Sequence, residues 1–380
     1  MSLPFVLRGA SVLALAVATV APLAPRPAAA LPRPSKAVRA AEYIVSLQNR
    51  HGAIRDSEAR FTANSDSQME YAMWGLAHAY RVTGDRRYLR VMRAGLDWLS
   101  ARQRRDGSWW FAYAANPPFE PDRRVRGVSA TVGLYIYDLW LYGHLSGHKA
   151  FVRSKMRHVR RGLRFLYRHM RRARDGTFYS AFTRREDGRY RKDTYRFTSD
   201  QADLYLGLRA AARLTGSARY RRHARMLRAA LTRPKLFFFP RRGRFAQGID
   251  YLGHRDRTLD VLTVWPNGYV PWVLGSERNT RRALRWMRRH QQPGGGFRLW
   301  DADPGYSLSA AVFVMGSHSM GGGRSVAAQR ASDWLTTMQD PVPGPGGAGG
   351  LADHRKRKQR FCNIAAFAAL SWFLARPIIP

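Results

Sequence analysis

Four stretches of this 380-residue chain repeat one pattern: "AYRVTGDRRYLRVM", "LYGHLSGHKAFVRS", "AARLTGSARYRRHA" and "VPWVLGSERNTRRA". Each sets an apolar run before a glycine and an arginine-rich run after it. The glycines are Gly84, Gly147, Gly216 and Gly275, separated by 63, 69 and 59 residues. A glycine in that place takes the left-handed conformation that ends a helix, and the polar residue beside it starts the next helix. Recurrence at such a period means stacked supersecondary units, each unable to bury its apolar face alone.

The two halves of each unit differ in kind. "SQMEYAMWGLAHAY", "TVGLYIYDLWLYGH" and "DLYLGLRAAARL" are apolar almost all round, as a buried helix is. "RRYLRVMRAGLDWLSARQ", "FVRSKMRHVRRGLRFLYRHM" and "NTRRALRWMRRHQ" carry an apolar stripe and a basic face, as an outer helix does. A degenerate fifth unit follows, "YSLSAAVFVMGS" with "RSVAAQRASDWLTTMQ". The chain then ends in an inner-type helix without a partner, "CNIAAFAALSWFLA", and begins with an outer-type helix without one, "SKAVRAAEYIVSLQ". These two complete a sixth hairpin. The expected fold is therefore all-α, an (α/α)6 toroid whose last hairpin joins the C-terminal inner helix to the N-terminal outer helix.

The outer helices share a tail: "LQNRHGAI", "QRRDGSWW", "RRARDGTFYS" and "HQQPGGGFRL", with a weaker "RRGRFAQG", and "MQDPVPGPGGAGG" in place of the motif in the last. The glycine turns the chain, the apolar residue folds back over the helix end, and the glutamine bonds the loop backbone. The tail reads as a clasp between hairpins; a ring of Trp109 or Trp110 offered to a sugar is the lesser reading. These Gln-x3-Gly-x-aromatic tails and paired helices resemble the α/α-toroid proteins. One branch holds the terpene cyclases and the prenyltransferase β subunit, another the six-hairpin glycosidases and related polysaccharide lyases. The resemblance spans nearly all of the chain from Ser35 onward and speaks for architecture more than for chemistry.

The branches differ in what they need. A cyclase requires an Asp-x-Asp-Asp cluster, and no such string occurs. The prenyltransferases set Asp, Cys and His on zinc, whereas the one cysteine, Cys362, lies in the apolar "RFCNIAAFAAL" and reads as a buried thiol. No metal site and no cofactor are expected. The glycosidase branch implies acids on the rim where inner helices begin. Counted from each hairpin's glycine, Asp66 and Glu70 stand at −18 and −14, Asp200 and Asp203 at −16 and −13, and Asp260 at −15. In a closed ring these five converge on one mouth, as the catalytic candidates. Two carboxyls are what glycoside hydrolysis uses, one to protonate the leaving oxygen and one to activate water or attack the sugar. Asp and Ser also cap helices, so "NSDSQME" and "TSDQAD" satisfy both readings. Asp138, mid-helix in "YIYDLWLY", reads as a structural hydrogen-bond hub.

Candidate sugar-binding side chains are Trp74, Tyr205, Trp265, Tyr269 and Tyr306, with His254 and Arg255 of "YLGHRDRTLD". "TVWPNGYVPW" is the best such stretch, since Pro266 and Gly268 interrupt the helix near the expected mouth. A polyuronate lyase or epimerase would use a tyrosine or His254 as base and Arg255 and Arg257 against the carboxylate.

Charge narrows the partners. Lys and Arg number 65 against 26 acids, a formal net charge of +39. Such a chain attracts polysaccharides that are acidic or other anionic envelope polymers. The basic faces ring the outside, and "ADHRKRKQRF" adds a patch at 352–361. A noncatalytic envelope-binding protein is the rival reading. No nucleic-acid motif occurs and no nucleic-acid partner is expected. The first 30 residues resemble a secretory signal: Arg8, an apolar run "SVLALAVATVAPLA", then "AAA" before Leu31. The expected protein is thus a secreted single toroid domain over 31–380, monomeric, with no membrane span once the signal is removed.

Overall fold

In the computed structural model the described residues are 35–233, 236–250, 261–298, 305–339, 349–353 and 359–380. The signal-like segment and Asp260, His254 and Arg255 lie outside them. Twelve α-helices occur among the described residues: α1 (Lys36–Ser46), α2 (Met69–Thr83), α3 (Arg86–Arg102), α4 (Ser129–Ser146), α5 (Lys149–Phe165), α6 (Thr198–Thr215), α7 (Ala218–Thr232), α8 (Val261–Leu274), α9 (Arg278–Arg289), α10 (Ser307–Ser319), α11 (Val326–Met338) and α12 (Cys362–Trp372).

The even-numbered helices pack in a closed inner ring, α2–α4–α6–α8–α10–α12 and back to α2. Each odd-numbered helix lies outside its partner, and α1 packs on α12, so the chain ends do close the sixth hairpin. The turns form as their glycines dictate: Gly84, Gly147, Gly216 and Gly275 have φ of 73°, 69°, 70° and 73°. Inner helices approach closely where side chains are smallest. A Cβ on Gly207 of α6 would lie 2.4 Å from the Gly133 carbonyl oxygen of α4, and one on Gly75 of α2 would lie 2.9 Å from Ala366 Cα of α12.

The tails are clasps. Gln48, Gln103 and Gln291 each donate from Nε2 to the glycine carbonyl of their own loop (Gly52, Gly107, Gly295) at 3.0–3.1 Å. The same nitrogen reaches the next hairpin's outer helix, at Val91, His158 and Ala327. Trp109 folds back and donates to Leu99 O at 2.8 Å from a buried position, so its ring is not a sugar platform. Two departures from the sequence reading emerge. The last tail does not lack the clasp: Gln339 bonds Gly349 O at 3.1 Å and Lys36 O of α1 at 2.8 Å across a longer loop. The third tail, which has Arg171 at the helix end after a π turn over Leu166–Met170, is held instead by Gln201 of α6, bonded both ways to the Phe178 main chain.

Helix α8 is also not interrupted. It runs through Pro266 and Pro271. Each proline deletes one helical hydrogen bond, but Gly268 lies against the Val312 main chain of α10, and that packing holds the helix in line.

The loops that lead into α2, α4, α6 and α8 carry short antiparallel strands: β1 (Thr62–Asn64) on β2 (Ala112–Ala114); β3 (Val125–Arg126), β4 (Phe182–Arg184) and β5 (Tyr190–Lys192) together; β6 (Arg196–Phe197) on β9 (Gly248–Ile249); and β7 (Phe238–Phe239) on β8 (Arg244–Phe245). They build the rim at the N-terminal ends of the inner helices. No helix among the described residues is long and apolar enough to cross a membrane.

Candidate active site

At that rim lies a cavity of about 340 Å³ walled by Asp66, Asp200 and Asp203, with Tyr71, Trp265 and Phe197 among its other lining groups. It falls at the small end of ligand pockets, roughly 300–1,000 Å³. Asp66 sits just ahead of α2 and is fixed by its loop. Asp56 accepts from Asn64 N at 2.7 Å and Thr62 Oγ1 at 2.7 Å, and Asn64 Oδ1 in turn accepts from Asp66 N at 2.8 Å. Asp66 Oδ1 accepts from Thr131 Oγ1 of α4 at 3.1 Å. Asp200 and Asp203 stand one turn apart on α6, whose start is anchored by Thr198 Oγ1 donating to Ala246 O at 2.7 Å. Asp203 accepts from Tyr71 Oη at 2.9 Å and from Tyr269 Oη.

Among the described residues no cation offsets these carboxyls, and their pKa values rise accordingly. Burial lifts Asp66 to about 6, the Thr131 bond opposing. Burial first, then the charges of Asp66 and Asp203, push Asp200 well above the usual carboxylate range. The first turn of α6 would favour an anion at Asp200; lost hydration and two neighbouring acids outweigh it. Burial takes Asp203 to about 8 against the two tyrosine bonds.

The sequence candidates divide. Asp66, Asp200, Asp203 and Trp265 meet at the cavity, and Tyr269 touches Asp203. Glu70 lies beneath, not in the cavity wall: it is fully buried, and neither carboxyl oxygen has a hydrogen-bond partner. Burial, then Asp138, Asp66 and Asp203, raise its pKa strongly. Trp74 is core, its Nε1 donating to Asp138 at 2.6 Å. Tyr205 faces away, toward Arg209, and Tyr306 precedes α10 without lining the cavity. Tyr71 and Thr131 belong to the site and were not read from the sequence; Tyr71, next to Glu70 in an apolar run, looks like core.

A consequence for stability follows. Glu70 has a folded pKa above its unfolded value, so the folded state holds the proton more tightly. Its contribution is full below the unfolded pKa and is lost as pH rises toward the folded one. Glu70→Gln is therefore expected to raise the melting temperature at pH 8 relative to pH 4.5. The gain at pH 8 should be the larger one, because there the parent must either hold a buried proton or bury a charge. Thermal unfolding of both proteins at the two pH values decides it; an equal change at both would rule out a titrating Glu70.

The chain has the (α/α)6-toroid fold, and solved structures of a glycosidase and a cellobiose 2-epimerase share it. It is similar to a D-mannose isomerase (TM-score 0.67, 10% identity, 89% of this chain and 96% of that one). It is similar also to the cellobiose 2-epimerase of Bacillus thermoamylovorans (0.66, 10%, 87% and 95%) and to an α-amylase from Clostridium perfringens (0.65, 9%, 90% and 98%). No protein-family profile and no curated protein matches the sequence.

Proposed function

We propose that this protein is an exported carbohydrate-active enzyme that hydrolyses a glycosidic bond in a polysaccharide. The observation that carries the reading is the pair Asp66 and Asp200 in one aromatic-walled cavity, both raised and close enough for Asp66 to push Asp200 upward. Two carboxyls whose environments part their pKa values are an acid and a base. Asp200 is the general acid: it gives its proton to the glycosidic oxygen as the bond to the anomeric carbon breaks. Asp66, ionised above about pH 6, is the partner carboxylate that takes a proton from the attacking water. Asp203, held by Tyr71 and Tyr269, shapes the field between them and binds a sugar hydroxyl; Trp265 offers a ring face. Support for a sugar substrate comes from the solved structures of this fold named above, and support for export from the signal-like first 30 residues. The basic surface suits an acidic polymer.

A second reading, proton abstraction at carbon as in an epimerase, isomerase or lyase, is favoured by the raised Asp203 with phenols on both its oxygens. One assay separates the two. The protein from Leu31 is incubated with neutral and acidic polysaccharides and with free aldoses. New reducing ends without ultraviolet absorbance support hydrolysis. Absorbance of an unsaturated uronate, or conversion of one free sugar to its isomer, replaces it.

A further inference from the structure

A second cavity, about 520 Å³, shares no lining residue with the first and is lined by Arg209 and Arg213 of α6 and by Arg221, Arg225 and Arg228 of α7. The spacings place each set along one helix face, and the two faces meet across the hairpin. Ala212 and Ala224 lie between them and leave room. Along α6 the lining runs from Tyr205 to Arg213, and Arg213 stands thirteen residues beyond Asp200, a rise of about 20 Å.

The guanidiniums at its base are set in place. Tyr205 Oη accepts from Arg209 Nη1 at 3.0 Å and from Arg228 Nη1 at 3.4 Å. Arg209 Nε also donates to the Pro380 main-chain oxygen at 2.9 Å, and Arg228 pairs with Glu277. Arg213, Arg221 and Arg225 are exposed at the rim and have no hydrogen bond or ion pair among the described residues. No Asp or Glu side chain lines the cleft; Pro380 does, and its oxygen accepts from both Nε and Nη2 of Arg209. The five guanidiniums, of which Arg228 is held by Glu277 and Arg209 by the Pro380 oxygen, repel one another, at about 0.2–0.5 kcal/mol for each like pair one turn apart. An anion of several charges relieves that repulsion. Arginine forks match phosphoryl oxygens two at a time.

We propose that this cleft is a binding site for a ligand with two or more phosphoryl groups, either a free oligophosphate or consecutive phosphodiesters of an anionic polymer. It is independent of the reaction at the rim. Binding of sodium tripolyphosphate to the full chain is measured by calorimetry in about 0.15 M salt, where exposed single charges are screened beyond about 8 Å. The expected dissociation constant lies below about 100 µM, near −5.5 kcal/mol. The variant Arg213→Gln/Arg221→Gln/Arg225→Gln should bind about 10-fold or more weakly with an unchanged melting temperature. A control of equal charge loss, Arg153→Gln/Arg160→Gln/Arg164→Gln on the exposed face of α5, should stay within about 3-fold of the parent. Equal losses in both variants, or a parent constant of about 1 mM or weaker, would overturn the site. A poly(glycerol phosphate) arm separates the sources: competition by it assigns the polymer, and none assigns the free oligophosphate.

Discussion

Asp200→Asn is expected to keep the fold and to lower turnover of the responsive polysaccharide by about 10³-fold or more. An asparagine has the shape of the acid but no transferable proton. General acid catalysis contributes about 10²–10⁴-fold, and an unactivated sugar leaving group needs most of it. The substitution also removes a carboxyl that burial and two neighbouring acids disfavour as an anion, so stability should not fall. The role has a sharper signature than the loss itself. An aryl glycoside with an acidic phenol as leaving group needs little protonation, so on it the Asp200→Asn defect should shrink to about 10-fold or less. Asp66→Asn should be slow on both substrates, because a water must still lose its proton. The parent's kcat/KM should fall as pH drops through about 6, where Asp66 takes up its proton. An Asp200→Asn defect equally large on both leaving groups would assign Asp200 to binding instead of proton transfer.

Much of this was visible in the chain because it depends on local rules. A glycine between an apolar and an arginine-rich run ends one helix and permits the next, and the four such turns fall as expected. Two helices without partners at opposite ends must find one another to bury their faces, and α1 does lie on α12. Acids a fixed distance ahead of those glycines had to lie near helix starts on one rim, which is why Asp66, Asp200 and Asp203 meet. What escaped depends on direction and on packing between distant segments. Side chains turn about 100° per residue along a helix, so Tyr205, two residues after Asp203, points to the far side and joins the arginine cleft. Glu70 shares a face with Trp74 and is carried below the floor toward Asp138. Tyr71 could not be told from core, since its distinction is a bond to Asp203 on another hairpin, 132 residues away. The last clasp was hidden because Gln339 and Gly349 stand ten residues apart instead of four.

Gly107→Ala should cost at least about 3 kcal/mol, a loss on the order of 5–10 °C for a chain of this size at roughly 2 °C per kcal/mol. Gly107 turns the "QRRDGSWW" clasp with φ of 96°. A Cβ there would lie 2.2 Å from the Arg161 carbonyl oxygen and 2.5 Å from the Arg161 carbonyl carbon. Both atoms are main chain of α5, so no side chain can swing aside. Either the loop or the helix must withdraw, and withdrawal breaks the Gln103 bonds to Gly107 O and His158 O that join two hairpins. Positive φ is only a part of the penalty. Gly216→Ala supplies the comparison: φ is 70°, but nothing lies within 4 Å of the added carbon. That change should cost about 1–2 kcal/mol, the left-handed penalty alone. The same arrangement recurs at Gly295, where the added carbon would meet Arg330 O at 2.1 Å, so Gly295→Ala should match Gly107→Ala. Thermal or denaturant unfolding of the three variants separates the two causes. If all three fall by the same amount, close approach of the clasp to the next outer helix is not what closes the ring; if Gly107→Ala and Gly295→Ala fall further than Gly216→Ala, each hairpin is locked to its successor by main-chain contact that only glycine admits.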